Sequence, residues 1–287
     1  RHAYDARMAP RHVESATNPF IKELAALKDR RARERSGTYL VEGQREAGRA
    51  LDALVDAVHV VVAPSLLQGG ASVEAWRARA EAAGAAFCTA SASAFERVSM
   101  RENPDGVLIV ARTPRTPPAR VPMPAGALVL VLGGLEKPGN VGALLRSAGA
   151  FGVDAVLRCP DQDGPGGATG VDLENPNLIR AAMGSSFTLP VGTGTREEVL
   201  AAVRAAGLRL VATSPAATTT VWDDDLTAGA AVLLGREHEG LSEWWLERAD
   251  AQVQVPMRAA AADSLNVSVT GALLLFEASR QRRGSAR

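Results

Sequence analysis

Three short clusters in the second half of the chain carry residue types able to do chemistry together. The first is Gly133-Gly134-Leu135-Glu136-Lys137-Pro138-Gly139-Asn140-Val141-Gly142, followed by Arg146. A glycine-rich turn that opens a helix can present backbone amides to a phosphate. Neither G-x-G-x-x-G nor G-K-[ST] occurs here, which removes the dinucleotide fingerprint and the P-loop. Asn140 taken alone reads equally well as a helix cap, and Arg146 alone as a surface charge. The second cluster, Gly235-Arg236-Glu237-His238-Glu239-Gly240-Leu241, follows an apolar run. Glycine at a strand end lets a backbone approach a ligand closely. Two carboxylates and one imidazole are weak grounds for a metal, and a solvated turn is the competing reading for His238 and Glu239. The third cluster is Val255-Pro256-Met257, then Ser264-Leu265-Asn266-Val267-Ser268, where Ser264 also reads as a cap and Leu265 and Val267 as packing. Cys88 and Cys159 stand in unrelated surroundings and read as reduced structural thiols, so no metal site is expected.

Each cluster follows a predicted strand. Strands are expected at 127–132, 153–157, 208–213, 231–234 and 252–255, with helices at 141–151 and 264–280. Strands alternating with helices imply parallel crossovers and an α/β sheet. Ligands of such sheets gather at the carboxyl ends of the strands, where all three clusters lie. Leu265, Val269, Ala272, Leu273 and Phe276 recur at helical spacing and are expected to form the buried stripe of the last helix.

A smaller αβ alternation precedes these elements. Asn18-Pro19 has the form of a helix start, with Phe20, Leu24 and Leu27 as the apolar face,. Strands are expected at 38–41, 58–63 and 107–111, with a helix at 72–83 among the helical stretches,. Pro114, Pro117, Pro118, Pro122 and Pro124 predict an extended, semi-rigid connector. The chain opens on Arg1 rather than methionine, which reads as a processed end. The expected organisation is a flexible end at 1–17, a first domain at 18–112, a linker at 113–126 and a second domain at 127–287.

Two domains also suit the length of 287 residues,. An apolar fraction of 46% with 22% charged residues is the balance of a folded globular protein rather than a disordered one,. No apolar run reaches the roughly 18 residues a spanning helix needs, and no basic-then-apolar leader opens the chain. A cytoplasmic protein without a membrane partner is therefore expected. Lysine and arginine total 32, as do aspartate and glutamate, so net charge gives no argument for a nucleic-acid partner. Locally, Lys22, Lys28, Arg30, Arg31, Arg33 and Arg35 stand against Glu23, Asp29 and Glu34, which suits either phosphate contacts or a solvated amphipathic helix.

Together the three clusters resemble the SpoU-type RNA ribose 2′-O-methyltransferases of the knotted SPOUT class. The family's first motif, Glu-x-Pro-x-Asn-x-Gly-x-x-x-Arg, is met by Glu136, Pro138, Asn140, Gly142 and Arg146; its second by Gly235 and Glu237; its third by 255–257 and 264–268. Asn18 to Lys22 and Tyr39 to Gly43 resemble the small ribosomal-protein-like module that precedes many such enzymes. Within the family the chain resembles the avilamycin-resistance 23S rRNA methyltransferases of actinomycetes. Arg236 departs from the usual small residue, and the insert between Met257 and Ser264 is one residue longer and lacks its glycine.

The resemblance implies a C-terminal trefoil-knotted α/β methyltransferase domain, a small N-terminal α/β RNA-binding domain and a homodimer. It implies S-adenosylmethionine as cofactor, lined by Ala212, Thr213, Gly235, Val255, Met257 and Leu265, and a catalytic set of Asn140, Arg146, Glu237, Ser264 and Asn266. The implied substrate is a ribose of 23S ribosomal RNA, with antibiotic resistance as the outcome. The alternatives are a tRNA-directed enzyme of the same fold, a non-catalytic rRNA-binding protein on the same scaffold and, more distantly, a nicotinamide dehydrogenase without its glycine fingerprint. The family arginine has been assigned as general base. A guanidinium stays protonated at ordinary pH, so Arg146 is expected instead to clamp a phosphate and the developing alkoxide.

Overall fold

Strands covered on both faces read as near-continuous aliphatic runs, and such runs form the centre of each half of this chain. A computed structural model describes residues 12–161, 170–257 and 264–285. The chain divides into two compact units, one reaching to Pro114 and including Leu173–Phe187, the other built from Arg115–Asp172 and the chain from Thr188 onward.

The first unit has strands β1 (His12–Val13), β2 (Thr38–Glu42), β3 (Ala57–Val62), β4 (Ala86–Ala90) and β5 (Val107–Arg112), in the order β1-β4-β3-β5-β2. β1, β4 and β3 are parallel, and β5 runs antiparallel to β3 and β2. Its helices are α1 (Pro19–Ala26), α2 (Arg30–Ser36), α3 (Gln44–Asp52), α4 (Val73–Ala82) and α5 (Ala92–Val98). Side-chain alternation splits the strands between two cores. Val41, Val60 and Ile109 face Ala47, Ala50, Trp76 and Ala80 of α3 and α4. Leu40, Val61 and Leu108 face Ile21, Leu24 and Phe95 of α1 and α5,. Asn18 starts α1 by accepting the Phe20 amide at 2.9 Å, ahead of Pro19,.

Two of the clustered cations are turned to structural use. Arg33, 4% exposed, donates to the Leu27 and Lys28 carbonyls at 2.7 and 2.8 Å. Lys28 Nζ donates to the carbonyls of Arg97 at 3.0 Å and Ser99 at 2.7 Å. Lys22, Arg31 and Arg35 are exposed.

Three expected boundaries differ. Residues 1–11 lie outside the described residues, but His12 and Val13 pair with Thr89 and Ala90, and Val13 is buried, so the first domain starts before residue 18. α7 (Pro176–Ala182) belongs to the first unit, where Ile179 joins the core beside Tyr39; the one-turn α8 (Ser185–Thr188) follows. The proline-rich stretch packs rather than spans: Pro118 and Val121 are buried, and Thr193 donates to the Thr116 carbonyl at 2.9 Å.

The second unit has seven parallel strands, β6 (Leu128–Gly133), β7 (Ala155–Cys159), β8 (Val191–Thr193), β9 (Arg209–Thr213), β10 (Thr219–Thr220), β11 (Ala230–Leu234) and β12 (Ala251–Gln254), ordered β10-β12-β9-β11-β6-β7-β8. Its helices are α6 (Pro138–Phe151), α9 (Arg196–Ala205), α10 (Glu243–Leu246) and α11 (Val267–Ser285). Val199 and Val203 of α9 and Trp245 of α10 close one core against Val129, Leu157, Leu210 and Leu233. α11 lies tightly on α6 and β11: a Cβ added to Gly271 would sit 2.3 Å from Leu144 Cδ2 and 2.7 Å from Leu234 Cδ1.

The buried face of α11 is Gly271, Leu274, Leu275 and Ala278, not the expected stripe. Val269, Leu273 and Phe276 are 46, 41 and 53% exposed, with Phe276 edge-on to Phe151 at 5.7 Å. The helix is apolar on two faces, so spacing alone could not choose between them. Near its end Arg282 donates to the carbonyls of Gly126 (2.7 Å), Ala127 (3.4 Å), Leu226 (2.9 Å) and Ala228 (2.5 Å), at the amino edge of the sheet. No helix among the described residues is long and apolar enough to cross a membrane.

Candidate active site

α6 begins at Pro138, three residues earlier than expected, so Asn140 lies inside its first turn and caps nothing. Its side chain turns to two other motifs. Nδ2 donates to Glu237 Oε1 at 3.0 Å, and Oδ1 accepts from Asn266 Nδ2 at 3.2 Å. Asn266 Oδ1 in turn accepts the Ser268 amide at 2.8 Å and the Ser268 hydroxyl at 2.6 Å. The cap of α11 is therefore Asn266, and Ser264 lies ahead of the helix. The chain of bonds runs one way, from the helix amide through two asparagines to a carboxylate. An amide side chain both accepts and donates, which position 140 requires, and the final bond is charge-assisted.

Glu237 is delivered by the turn after β11. Arg236 and Gly240 exchange backbone hydrogen bonds at 3.0 Å, and Gly240 adopts φ +70°. A Cβ at Gly235 would lie 2.5 Å from the Gly240 carbonyl carbon. The close approach that demands glycine there is made by the loop's own backbone. Arg236 pairs with Glu239 and, at 3.2 Å, with Glu136.

A cavity of about 390 Å³ opens at the carboxyl ends of β9, β11 and β12. Thr213, Gly235, Val255, Met257 and Leu265 line it, as do Glu237 and Ser264. Ala212 does not: it is fully buried and faces the same core as Leu210, because neighbouring strand residues point to opposite faces,. Arg146 is exposed on α6 and is not part of the cavity wall. The structure thus joins Asn140, Glu237 and Asn266 directly, sets Ser264 on the cavity and leaves Arg146 apart. The lengthened insert, 258–263, lies outside the described residues.

Thr270 and Leu274 also line the cavity and were legible as the i+4 and i+8 positions after Asn266. Asp161 was not legible. It stands alone after β7, yet its Oδ1 accepts from the Ser242 hydroxyl at 3.0 Å and the Ser242 amide at 3.4 Å.

The cavity falls in the roughly 300–1,000 Å³ range of small-ligand sites. Backbone at strand ends suits an adenosine, and the Glu237 carboxylate on the wall suits a cationic sulfonium. Among the described residues no group of three or more His, Cys, Asp or Glu is placed to hold a metal ion.

A parallel sheet with a cavity at its carboxyl edge, reached at Glu237 by an amide–carboxylate relay, is the arrangement of a ligand-binding protein of the α/β class,. The profile of the SpoU rRNA Methylase family matches residues 127–276, and that of the MRM3-like substrate binding domain matches residues 18–109. The chain belongs to the SpoU rRNA Methylase family. With membership comes its chemistry, S-adenosylmethionine-dependent methylation of an RNA ribose 2′-hydroxyl. The chain is 32% identical to an uncharacterized tRNA/rRNA methyltransferase of Synechocystis over 94% of each chain. It is 29% identical to the 23S rRNA (uridine(2479)-2′-O)-methyltransferase of Streptomyces viridochromogenes over 96% of this chain and 93% of that one. The AdoMet-bound rRNA methyltransferase of Sinorhizobium meliloti superposes with a TM-score of 0.82 at 27% identity, covering 94% of this chain and 97% of the other.

Proposed function

We propose that the protein methylates the 2′-hydroxyl of one nucleotide of 23S ribosomal RNA in the cytoplasm, with the first unit gripping the RNA and the second holding the cofactor. The observation that carries this reading is the Asn266–Asn140–Glu237 relay, which reaches the cavity wall at Glu237 and shares α6 with Arg146 at Asn140. Similarity to the Streptomyces 23S rRNA enzyme along both halves of the chain supports the choice of substrate. The resemblance to the avilamycin-resistance enzymes extends the reading to protection of the ribosome from an antibiotic.

The chemistry is an in-line displacement, which demands alignment of oxygen, carbon and sulfur and removal of a hydroxyl proton. S-adenosylmethionine supplies the electrophilic methyl group on a sulfonium. Thr213, Gly235, Val255, Met257 and Leu265 would hold it, the Glu237 carboxylate on the same wall would offer a counter-charge to the sulfonium, and Glu237 fixes Asn140 by accepting its amide. Asn140 and Ser264 orient the ribose. Arg146, permanently charged, clamps the neighbouring phosphate and the developing alkoxide, while the proton leaves through a phosphate oxygen or water.

The reading includes a homodimer across α11, supported by the exposed stripe of Val269, Leu273 and Phe276. A second copy covering that stripe bears on the site, because the stripe begins within a turn of Asn266 on the same helix. It also includes a trefoil knot in the second unit, supported by family membership and by β9 lying between β12 and β11.

The test is incubation with labelled cofactor and separate 23S rRNA and tRNA pools, then nuclease digestion and mass spectrometry. A 2′-O-methylated nucleoside from 23S rRNA with an alkali-resistant linkage is expected. Labelled tRNA alone, a base-methylated product, or RNA binding without transfer would each overturn the reading.

A further inference from the structure

We propose that Asp161 is a positioning residue for the transfer, holding the loop that carries Glu237 against the turn that leads to Asn140; this rests on the methyl-transfer reading of the site. Asp161 lies just beyond β7, is 5% exposed and belongs to none of the three motifs. On one side its carboxylate takes both donors of Ser242, the residue that directly follows the loop Gly235 to Leu241. On the other side it packs on Gly134, whose amide donates to the Cys159 carbonyl at 3.0 Å. Gly134 adopts φ +70°, and a Cβ there would lie 2.6 Å from Asp161 Cβ. One side chain therefore spans the base of the loop that carries Glu237 and the turn that leads into α6, whose first turn carries Asn140.

The attachment is reinforced from α10. The Asp161 carbonyl accepts from Arg196 Nη1 at 3.4 Å, and that guanidinium stacks 4.6 Å from the ring of Trp244, which Arg248 approaches to 4.5 Å. A second tie, between Arg236 and Glu136, joins the same two loops, but those side chains are 28 and 47% exposed. Water and salt weaken such a pair. The buried carboxylate, which accepts both the hydroxyl and the amide of Ser242, is shielded from both and holds the register.

Asp161→Ala, Asp161→Asn and Ser242→Ala in the full chain test this. Asp161→Ala should raise the Kd for S-adenosylmethionine in calorimetry about tenfold, lower kcat at least as much, and speed amide exchange across 235–242. Asp161→Asn keeps an acceptor oxygen and should recover most of each loss. Adding Ser242→Ala to Asp161→Ala should cost nothing further, since both remove one interaction. Unchanged binding and exchange in Asp161→Ala, or an asparagine variant as impaired as the alanine, would overturn the proposal. If Asp161→Ala does not fold, Ser242→Ala alone must show faster exchange in 235–242 and a several-fold loss of affinity; wild-type behaviour there overturns it too. The exchange measurement needs neither RNA nor turnover, so a wild-type protein that transfers no methyl group sinks the functional reading separately.

Discussion

Asn140 and Glu237, 97 residues apart in sequence, meet in a 3.0 Å hydrogen bond in which the amide must be the donor. That polarity is fixed from the far end, because Asn266 spends its own oxygen on Ser268 and has only its NH₂ left for Asn140. Asn140→Asp removes the donor and sets two carboxylates face to face. It should lower kcat about 100-fold, more than Asn140→Ala does, since a lost charge-assisted bond and like-charge repulsion add. Steady-state kinetics on both variants checks the order; an aspartate variant as active as wild type would remove Asn140 from the mechanism.

Arg146 sits exposed on α6 beyond the cavity wall. Arg146→Ala should therefore cut turnover by about 10²–10³-fold, the scale seen when a transition-state donor is removed. The Kd for S-adenosylmethionine, read by calorimetry, should stay within about twofold of wild type. Arg146→Lys should recover little, because an ammonium lacks the planar fork that matches a phosphate. Abolished cofactor binding would move Arg146 into the cofactor site.

Leu273→Glu combined with Phe276→Glu places two charges on the exposed stripe of α11. Neither side chain is in the core of a single copy, so thermal stability of the separated chain should change little. Sedimentation at micromolar concentration should report a dimer for wild type and a monomer for the variant, with activity lost alongside. A monomeric, active wild type would refute the dimer.

His59 gives the first unit a pH dependence. It is 1% exposed on β3, edge-on to Phe20 at 5.2 Å. Burial, helped by the charge of Arg112, pushes its pKa down to about 4. Above the unfolded value of about 6.5 both states are neutral and His59 costs nothing. As pH falls from there toward 4, the unfolded chain takes up a proton that the folded chain refuses, so stability declines with acidification, by about 3 kcal/mol in all. Urea unfolding at pH 7.5 and 4.5, followed by amide exchange in β3, should show that loss, and His59→Leu should flatten it. An unchanged slope in the variant would assign the acid sensitivity elsewhere.

Long aliphatic runs and strand-to-helix alternation made the second unit's central strands readable, because β6, β9 and β11 are buried on both faces. Short strands with little apolar content were not: β8 is three residues and β10 two, and pairing rather than propensity makes them strands,. β1 was missed for the same reason. The return of α7 to the first unit had no local signal, since Leu178, Ile179 and Ala182 form an ordinary helical stripe whichever core receives it. At the site, Asn140 and Asn266 were both found through motif spacing. The capping reading that Asn140 and Ser264 each offered falls instead to Asn266, while Asn140 links the motifs. A side chain that serves another loop 126 residues away leaves no mark on its own neighbourhood.

Arg282 binds carbonyls on both sides of the gap between Ala127 and Leu226, and its reach back to Gly126 covers 156 residues. The first strand of the second unit is therefore secured by a side chain that is synthesised after all seven strands. Contacts so distant in sequence form late and slow the search for the native state. The enzyme cannot assemble its cofactor cavity progressively during synthesis, because α11 supplies both the Asn266 cap at one end and this fastening at the other. Without Arg282 the carbonyls of Gly126, Leu226 and Ala228 lose that donor, at the edge of the sheet opposite the one where the cavity opens.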